Sequence, residues 1–463
     1  MAFTVGVPYI SYPISLLYQS GGFDCEYELR HSDYRFFDLN NLYRDNDFEF
    51  SLLIENNVFK VSKENWSLYK LSHPEFVRDI IYFKIYEFSS INISPEGEKA
   101  NFRYISPIHK NDIDFFLFQI SGSEWHFFNS ARRIQDSFLI EISIHDSIYH
   151  IFKVALQEET YLVIENLSPV TLKEFDNGVM AIIFGIGFVI QSLLFDESFT
   201  FLIDSPKSPA VKGMRYQSLR KSIRGHYKIF DVNAYKYLIP IGQRNNTDSH
   251  ELAAKWSSKL SRFPLDALER LVNLCYDYPK IVTCILMLVE GSLNGLETEG
   301  PVLSVALETI TEVIKNMITG LPKPPGKLPE STFNQLLIQF MATVDSSSLS
   351  KKEKDKLKEW LKGINKPSNR DKFLVPFNYF NITLTNEDKA IIEKRNTWIH
   401  GSNKITLNQT GFIKEIINCK KMHLYSCILI LKLAGFSGYV VDNSCLELSS
   451  LKPSDLNEVF LEI

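Results

Sequence analysis

The sequence predicts an α+β protein: a β-rich, sandwich- or barrel-like N-terminal module followed by an all-α helical bundle. Three observations predict it. Short runs rich in Ile, Phe, Tyr and Val, separated by polar turns, fill residues 1–170. From Glu251 onward the apolar residues recur with a helical period instead. Charge is uneven too: 15 basic residues against 29 acidic in 1–204, 9 against 2 in 205–250, and 26 against 24 in 251–463. We therefore read 1–204 as an acidic module ending in an apolar helix, 205–250 as a basic connector, and 251–463 as the helical domain. At 463 residues the chain can bury a large core without staples. Its 45% hydrophobic and 23% charged residues exclude wholesale disorder, collagen and a disulfide scaffold.

Strands are expected at 48–54, 80–88, 115–120, 138–144 and 148–154, with turns such as Glu55-Asn56-Asn57 and Pro95-Glu96-Gly97-Glu98 between them. A helix is expected over 171–194. Within it, 178–195 is apolar except for Gln191 and Ser192, at the lower edge of a membrane span. Its three glycines, polar pair and lack of basic flanks predict a buried helix and no membrane. The N-terminus has no Lys or Arg before its apolar stretch and carries Pro8 and Pro13, so it does not read as a signal peptide. Six cysteines, none in a C-x-x-C arrangement, predict buried free thiols in a reducing, cytoplasmic setting.

The segment 205–250 holds Pro206, Pro209 and a basic cluster with interleaved tyrosines. Arg215, Arg220, Lys221 and Arg224 are its candidate RNA contacts, since phosphate pairing plus base stacking uses this composition. A solvated connector, or a strap docking on the acidic module, explains it equally well. Helices follow at 265–276, 280–293, 303–318, 332–343, 350–363, 386–400 and 411–434, with a break at Pro322-Lys323-Pro324-Pro325-Gly326. The lysine-rich start of 350–363 reads as a solvated face.

The helix 386–400 carries the chemistry. Thr385 or Asn386 can cap its start, Glu387 and Asp388 suit its positive end, and Gly401 suits its exit. By helical spacing Ile391, Arg395 and Trp398 form one stripe, and Ile392, Asn396 and Ile399 the next. Arg395 and Asn396 thus interrupt an apolar face, and Asn396 and His400, four apart, can touch. A desolvated arginine is costly unless paired, which suggests a cleft or subunit interface holding an anion. Glu290 or Glu308 could pair with it. The bare Arg-x(4–6)-His pattern is weak: Arg103–His109, Arg220–His226 and Arg244–His250 also match. A lone pair of this kind is most often surface or core decoration. The capped helix, the Asn after the Arg and the long apolar helix that follows single out Arg395–His400.

Arg395-Asn396-Thr397-Trp398-Ile399-His400, late in an all-helical domain, resembles the R-x(4–6)-H motif of HEPN ribonucleases. The β-rich upstream part and the length are similar to the Apea-type subgroup of bacterial anti-phage proteins. The resemblance implies a HEPN helical bundle that dimerises with two motifs facing each other, and metal-independent RNA cleavage without a cofactor. The residue types suit that chemistry. His400 can move a proton near neutral pH, Arg395 can stabilise phosphate charge through a bidentate contact, and Asn396 can orient either. Lys394 and Lys404 flank the motif as candidate RNA contacts. The function expected is abortive-infection defence by RNA cleavage, held in check by the N-terminal module until a phage-derived trigger arrives. The alternatives are a non-catalytic HEPN-fold interaction or nucleotide-binding protein, and a glycan- or peptide-binding protein led by residues 1–204. There is no H-E-x-x-H, no Cys/His metal spacing, no P-loop or Rossmann glycine pattern and no G-x-S-x-G elbow.

Overall fold

The computed structural model describes residues 97–120, 138–156, 159–194, 197–205, 211–218, 220–238, 247–322, 324, 326–399, 408–445 and 459–463, together with the backbone of strands between positions 2 and 90. It has a mixed α+β architecture, with a β-sheet region first and a helical bundle after it. The described helices are α1 (Lys110–Gln119), α2 (Leu172–Ile190), α3 (Ala234–Leu238), α4 (Thr247–Ser257), α5 (Leu265–Asp277), α6 (Pro279–Gly291), α7 (Leu296–Met317), α8 (Glu330–Ser346), α9 (Lys351–Gly363), α10 (Asn369–Tyr379), α11 (Asn386–Ile399) and α12 (Gln409–Leu433).

The chain forms two compact units: Met1–Gly225 with Ser261–Asp277, and His226–Leu260 with Tyr278–Ile463. This division runs through the segment read as a connector. Val211–Ser218 is a strand of the first unit's sheet, and α3 and the start of α4 belong to the second unit.

In the first unit an antiparallel sheet runs, edge to edge, through Phe138–Ile144, Ser147–Leu156, Glu159–Asn166, Asn101–Pro107, Glu197–Ile203, Val211–Ser218, Glu87–Ser90, Asn57–Val61, Phe50–Ile54, Ala2–Val5 and Ser11–Pro13. Its two end strands do not pair, so among the described residues no barrel closes. A smaller sheet joins Ser15–Gln19, Gly22–Glu28, Ile80–Ile85 and Trp66–Ser72. The residues expected as a strand at 115–120 fall mainly in α1 instead. Ile113, Phe116 and Leu117 are buried at helical spacing, and His109 caps the start by accepting from the Asn111 amide.

The apolar segment is the buried helix α2. A capping box of Thr171 and Glu174 opens it, and Gln191 closes it in the left-handed region. Its glycines are sites of close approach. A Cβ at Gly178 would lie 2.6 Å from the Tyr149 hydroxyl, and one at Gly185 would lie 2.8 Å from Val272 of α5. No single helix among the described residues is long and apolar enough to cross a membrane.

In the second unit α6, α7 and α12 pack on one another and α10 and α11 pack on α7. A satellite cluster joins Leu238, Ala253 and Trp256 to Val441, Val459 and Phe460, so α3 and α4 dock on the C-terminal hairpin Tyr439–Val441/Phe460–Glu462. Cys284, Cys419 and Cys427 are buried here, as is Cys275 in the first unit. Burial pushes the Cys275 thiol up to about 12, so it is not a nucleophile at neutral pH.

Candidate active site on helix α11

Helix α11 begins where the sequence marks it. The Asp388 amide donates to Thr385 Oγ1 at 3.1 Å, and the Thr385 amide donates to Asp388 Oδ2 at 2.9 Å. This reciprocal pair satisfies two of the orphan donors at the helix start. The Tyr425 hydroxyl of α12 also donates to Asp388. Burial pushes the Asp388 carboxyl up, but the hydrogen bonds from Tyr425 and Thr385 outweigh it and hold the group below its usual value. The start of α11 is therefore pinned to α12 by a charged acceptor.

One face of the helix meets α7. Arg395 is buried, at 8% exposure. Its Nη2 pairs with Glu308 Oε2 of α7 at 2.8 Å, and its Nη1 donates to Asn396 Oδ1 at 2.9 Å. The guanidinium carbon lies 4.2 Å from the centre of the Phe373 ring on α10, a stacking distance. Its Nε is buried without a hydrogen-bond partner. Glu308 is one of the two acids the sequence offered for this pairing, Glu290 being the other. Its side chain is 48% exposed, so the pair sits at a solvent boundary.

One turn later Trp398 packs so tightly on α7 that a Cβ at Gly300 would lie 2.8 Å from its ring. On the other side, Trp398 Nε1 and Lys394 Nζ both reach the Glu415 carboxylate of α12, and Asn418 Nδ2 donates to it at 3.2 Å. Glu415 is buried, and three donors offset the cost of its charge there. Beside this cluster an open groove of about 650 Å³ runs between α11 and α12. Ala390, Lys394 and Thr397 line it from one side, and Lys414, Ile417 and Asn418 from the other.

The structure thus brings Arg395 and Asn396 together. Asn396 is exposed, and its carboxamide oxygen is turned onto the guanidinium. Lys394 is in ion pairing with Glu415 and lies over the Trp398 ring. His400 and Lys404 lie outside the described residues, and so does the Asn396–His400 contact.

The other candidate RNA contacts belong to the first unit. Arg215 makes a two-pronged ion pair with Asp176 of α2, and Arg224 reaches Asp112 of α1 through Nε and Nη2 at 3.1 and 2.9 Å. Both partners come from the acidic part of the sequence, which fits the docking-strap reading of that segment. Arg220 and Lys221 are exposed. No group of His, Cys, Asp and Glu among the described residues could hold a metal ion.

Sequence reasoning missed α10 and with it Phe373. The Ser368-x-x-Asp371 capping box was the readable signal, and Pro376 inside the helix obscured it. It also missed Glu415, which lies in a long, mostly apolar helix. His423, deep in α12, is a different kind of histidine. Burial pushes its pKa down to about 3, which keeps it neutral. No family model, no curated protein and no solved structure matches the chain.

Proposed function

We propose that this chain is a metal-independent endoribonuclease of the HEPN type that serves anti-phage defence, with Arg395, Asn396 and His400 as its catalytic group. The observation that carries the reading is the guanidinium of Arg395. It is buried, flanked by a ring and a carboxamide, and stands five residues before His400 in the sequence. A phosphodiester approaching it competes with Glu308 for Nη2. The half-exposed carboxylate can give way to water as the phosphate takes its place. RNA supplies its own nucleophile, the 2′-OH. His400 takes or returns a proton, Arg395 offsets the charge of the phosphorane, and the products are a 2′,3′-cyclic phosphate and a 5′-hydroxyl. Two motifs in a homodimer share the acid and base roles. The first unit acts as the regulatory module that answers a phage-derived trigger.

The test is incubation of wild-type, Arg395→Ala and His400→Ala protein with total RNA in EDTA, followed by end-group analysis. Wild type is expected to yield cyclic phosphate and 5′-hydroxyl ends, and both variants none. Equal cleavage by His400→Ala removes the motif from catalysis. One observation favours a second reading: Glu308, Asn396 and Phe373 already engage Nη2, Nη1 and the face of the Arg395 guanidinium. A non-catalytic HEPN-like interaction protein follows if phage protection survives His400→Ala.

A further inference from the structure

The stripe of α7 that receives Arg395 continues past Glu308. Glu312 and Lys315 follow four and seven residues on, so the three side chains share one face of the helix. Seven residues of helix carry Lys315 about 10 Å beyond Glu308 along the axis. Both carboxylates are already paired. Glu308 holds Arg395 at 2.8 Å, and Lys280 in the first turn of α6 holds Glu312 at 2.9 Å. Lys315 makes no hydrogen bond or ion pair among the described residues.

The Lys315 ammonium lies 5.8 Å from the centre of the Phe373 ring, the same ring that stacks on the Arg395 guanidinium at 4.2 Å. Two cations from two helices thus share one ring of α10. Lys372, beside Phe373, adds a third positive charge. Loss of part of its hydration, and then the charge of Lys372, hold the Lys315 ammonium below its ordinary pKa, although Glu308 and Glu312 act the other way. Gathered cations repel one another until an anion joins them. Here Arg395 Nε is a buried donor without an acceptor, and Lys315 is an ammonium without a counter-ion. A lysine in the last turn of a helix also complements the helix dipole. That role is served anywhere around α7 and does not call for the side that faces Phe373 and Arg395.

We propose that Lys315 is a substrate-binding residue that takes the phosphate next to the one at Arg395, so that the substrate is an oligonucleotide strand held by two consecutive phosphates and not a mononucleotide or dinucleotide. It rests on the nuclease reading for the place of the first phosphate. The two cations divide the work by their chemistry. Arg395 is fixed by packing and offers planar donors in a set direction. Lys315 is a point charge on a four-carbon stem, and it can close on whichever oxygen the neighbouring phosphate presents. Its contact is with the backbone alone, so it selects for chain length and not for sequence.

The test is fluorescence anisotropy of the full chain with DNA oligonucleotides carrying a phosphate-free label; they have the phosphates but lack the 2′-OH and are not cut. Wild type is expected to bind a trinucleotide, with two phosphates, roughly 10-fold tighter than a dinucleotide, with one, as a single charge-assisted contact allows. Lys315→Gln is expected to cut that gain below about 2-fold, and Lys315→Arg to keep it. On a strand of about ten nucleotides, Lys315→Gln is expected to lower the slope of log K against log salt by about 0.7, one phosphate contact. Lys315 is exposed, and thermal melts check that each variant folds. No binding by wild type, no gain from the second phosphate, or an undiminished gain in Lys315→Gln overturns the proposal. If Arg395→Met binds the dinucleotide as wild type does, the first phosphate is not at Arg395 and the Lys315 assignment falls with it. If Arg395→Met loses the dinucleotide while Lys315→Gln keeps the gain, the Lys315 assignment alone falls. Binding as expected with no RNA cleavage by wild type refutes the nuclease reading and leaves the two-phosphate site standing.

Discussion

Glu308→Gln separates the two roles open to Arg395. The substitution keeps the side chain's shape and removes its charge. Arg395, at 8% exposure, then keeps the Asn396 hydrogen bond and the Phe373 ring but loses its counter-charge. Breaking a fully buried pair costs about 3–5 kcal/mol, and exposed pairs are worth about 0.2–1 kcal/mol. Glu308 is half in water, so an intermediate loss of about 1–2 kcal/mol is expected. Arg395→Met on its own should cost little, because the carboxylate it releases can turn to solvent. With both changes there is no buried cation to strand, so the double variant should resemble Arg395→Met. The cycle then returns a coupling of about 1–2 kcal/mol, measured as urea midpoints at constant slope. The same energy predicts function: with Nη2 freed, affinity for a 3′-phosphorylated dinucleotide should rise roughly 5- to 30-fold. A coupling below about 0.3 kcal/mol, within ordinary additivity, would refute the claim that Glu308 holds this guanidinium.

Three further outcomes are expected. His423 is neutral in the fold, with its pKa pushed down to about 3 by burial, whereas in the unfolded chain it titrates near the ordinary histidine value. Above that value neither state carries the proton; below it only the unfolded state does. Stability should fall by about 2 kcal/mol between pH 6.5 and 5, and His423→Leu should flatten that limb of the pH profile; parallel profiles would contradict this. Gly300→Ala should lower the unfolding midpoint by the equivalent of about 1–3 kcal/mol, because the new Cβ meets a Trp398 ring held by Glu415; adding Trp398→Phe should recover part of it. Arg215→Met should destabilise the chain and leave RNA affinity unchanged in filter binding, since its guanidinium is committed to Asp176.

Much of the second unit was legible because its signals are local. Thr385 and Asp388, Ser350 and Glu353, and the helical stripe around Ile285 each announce an element within a few residues. Helical spacing also puts Arg395 on a buried face, and its partner, Glu308, is one of the two acids on apolar helices. What failed was non-local. Residues 115–120 have the composition of a strand, and only the burial of Ile113, Phe116 and Leu117 on one side makes α1 a helix. The basic segment looked like a connector because its partners, Asp176 and Asp112, lie far back in the chain. Neither composition nor period shows that Val211–Ser218 completes a pairing begun by Glu197–Ile203. The C-terminal hairpin that receives Trp256 is invisible for the same reason: its strands are three residues each and about twenty apart.

The arginine itself supplies the sharpest division between a structural and a catalytic role. A buried ion pair is often no better for stability than apolar side chains of similar volume, and here the Nε remains a buried donor without an acceptor. An orphaned buried donor costs about 1–3 kcal/mol. If Arg395 served packing alone, methionine would fill the same space against Phe373 without that cost. Arg395→Met is therefore expected to fold with a stability within about 1 kcal/mol of wild type or above it. It is also expected to lose all RNA cleavage, because a thioether cannot offer a phosphorane two donors. Thermal melts and end-group analysis on the same preparation decide the matter. A well-folded Arg395→Met protein that cuts RNA as wild type does would make the guanidinium a packing element and nothing more.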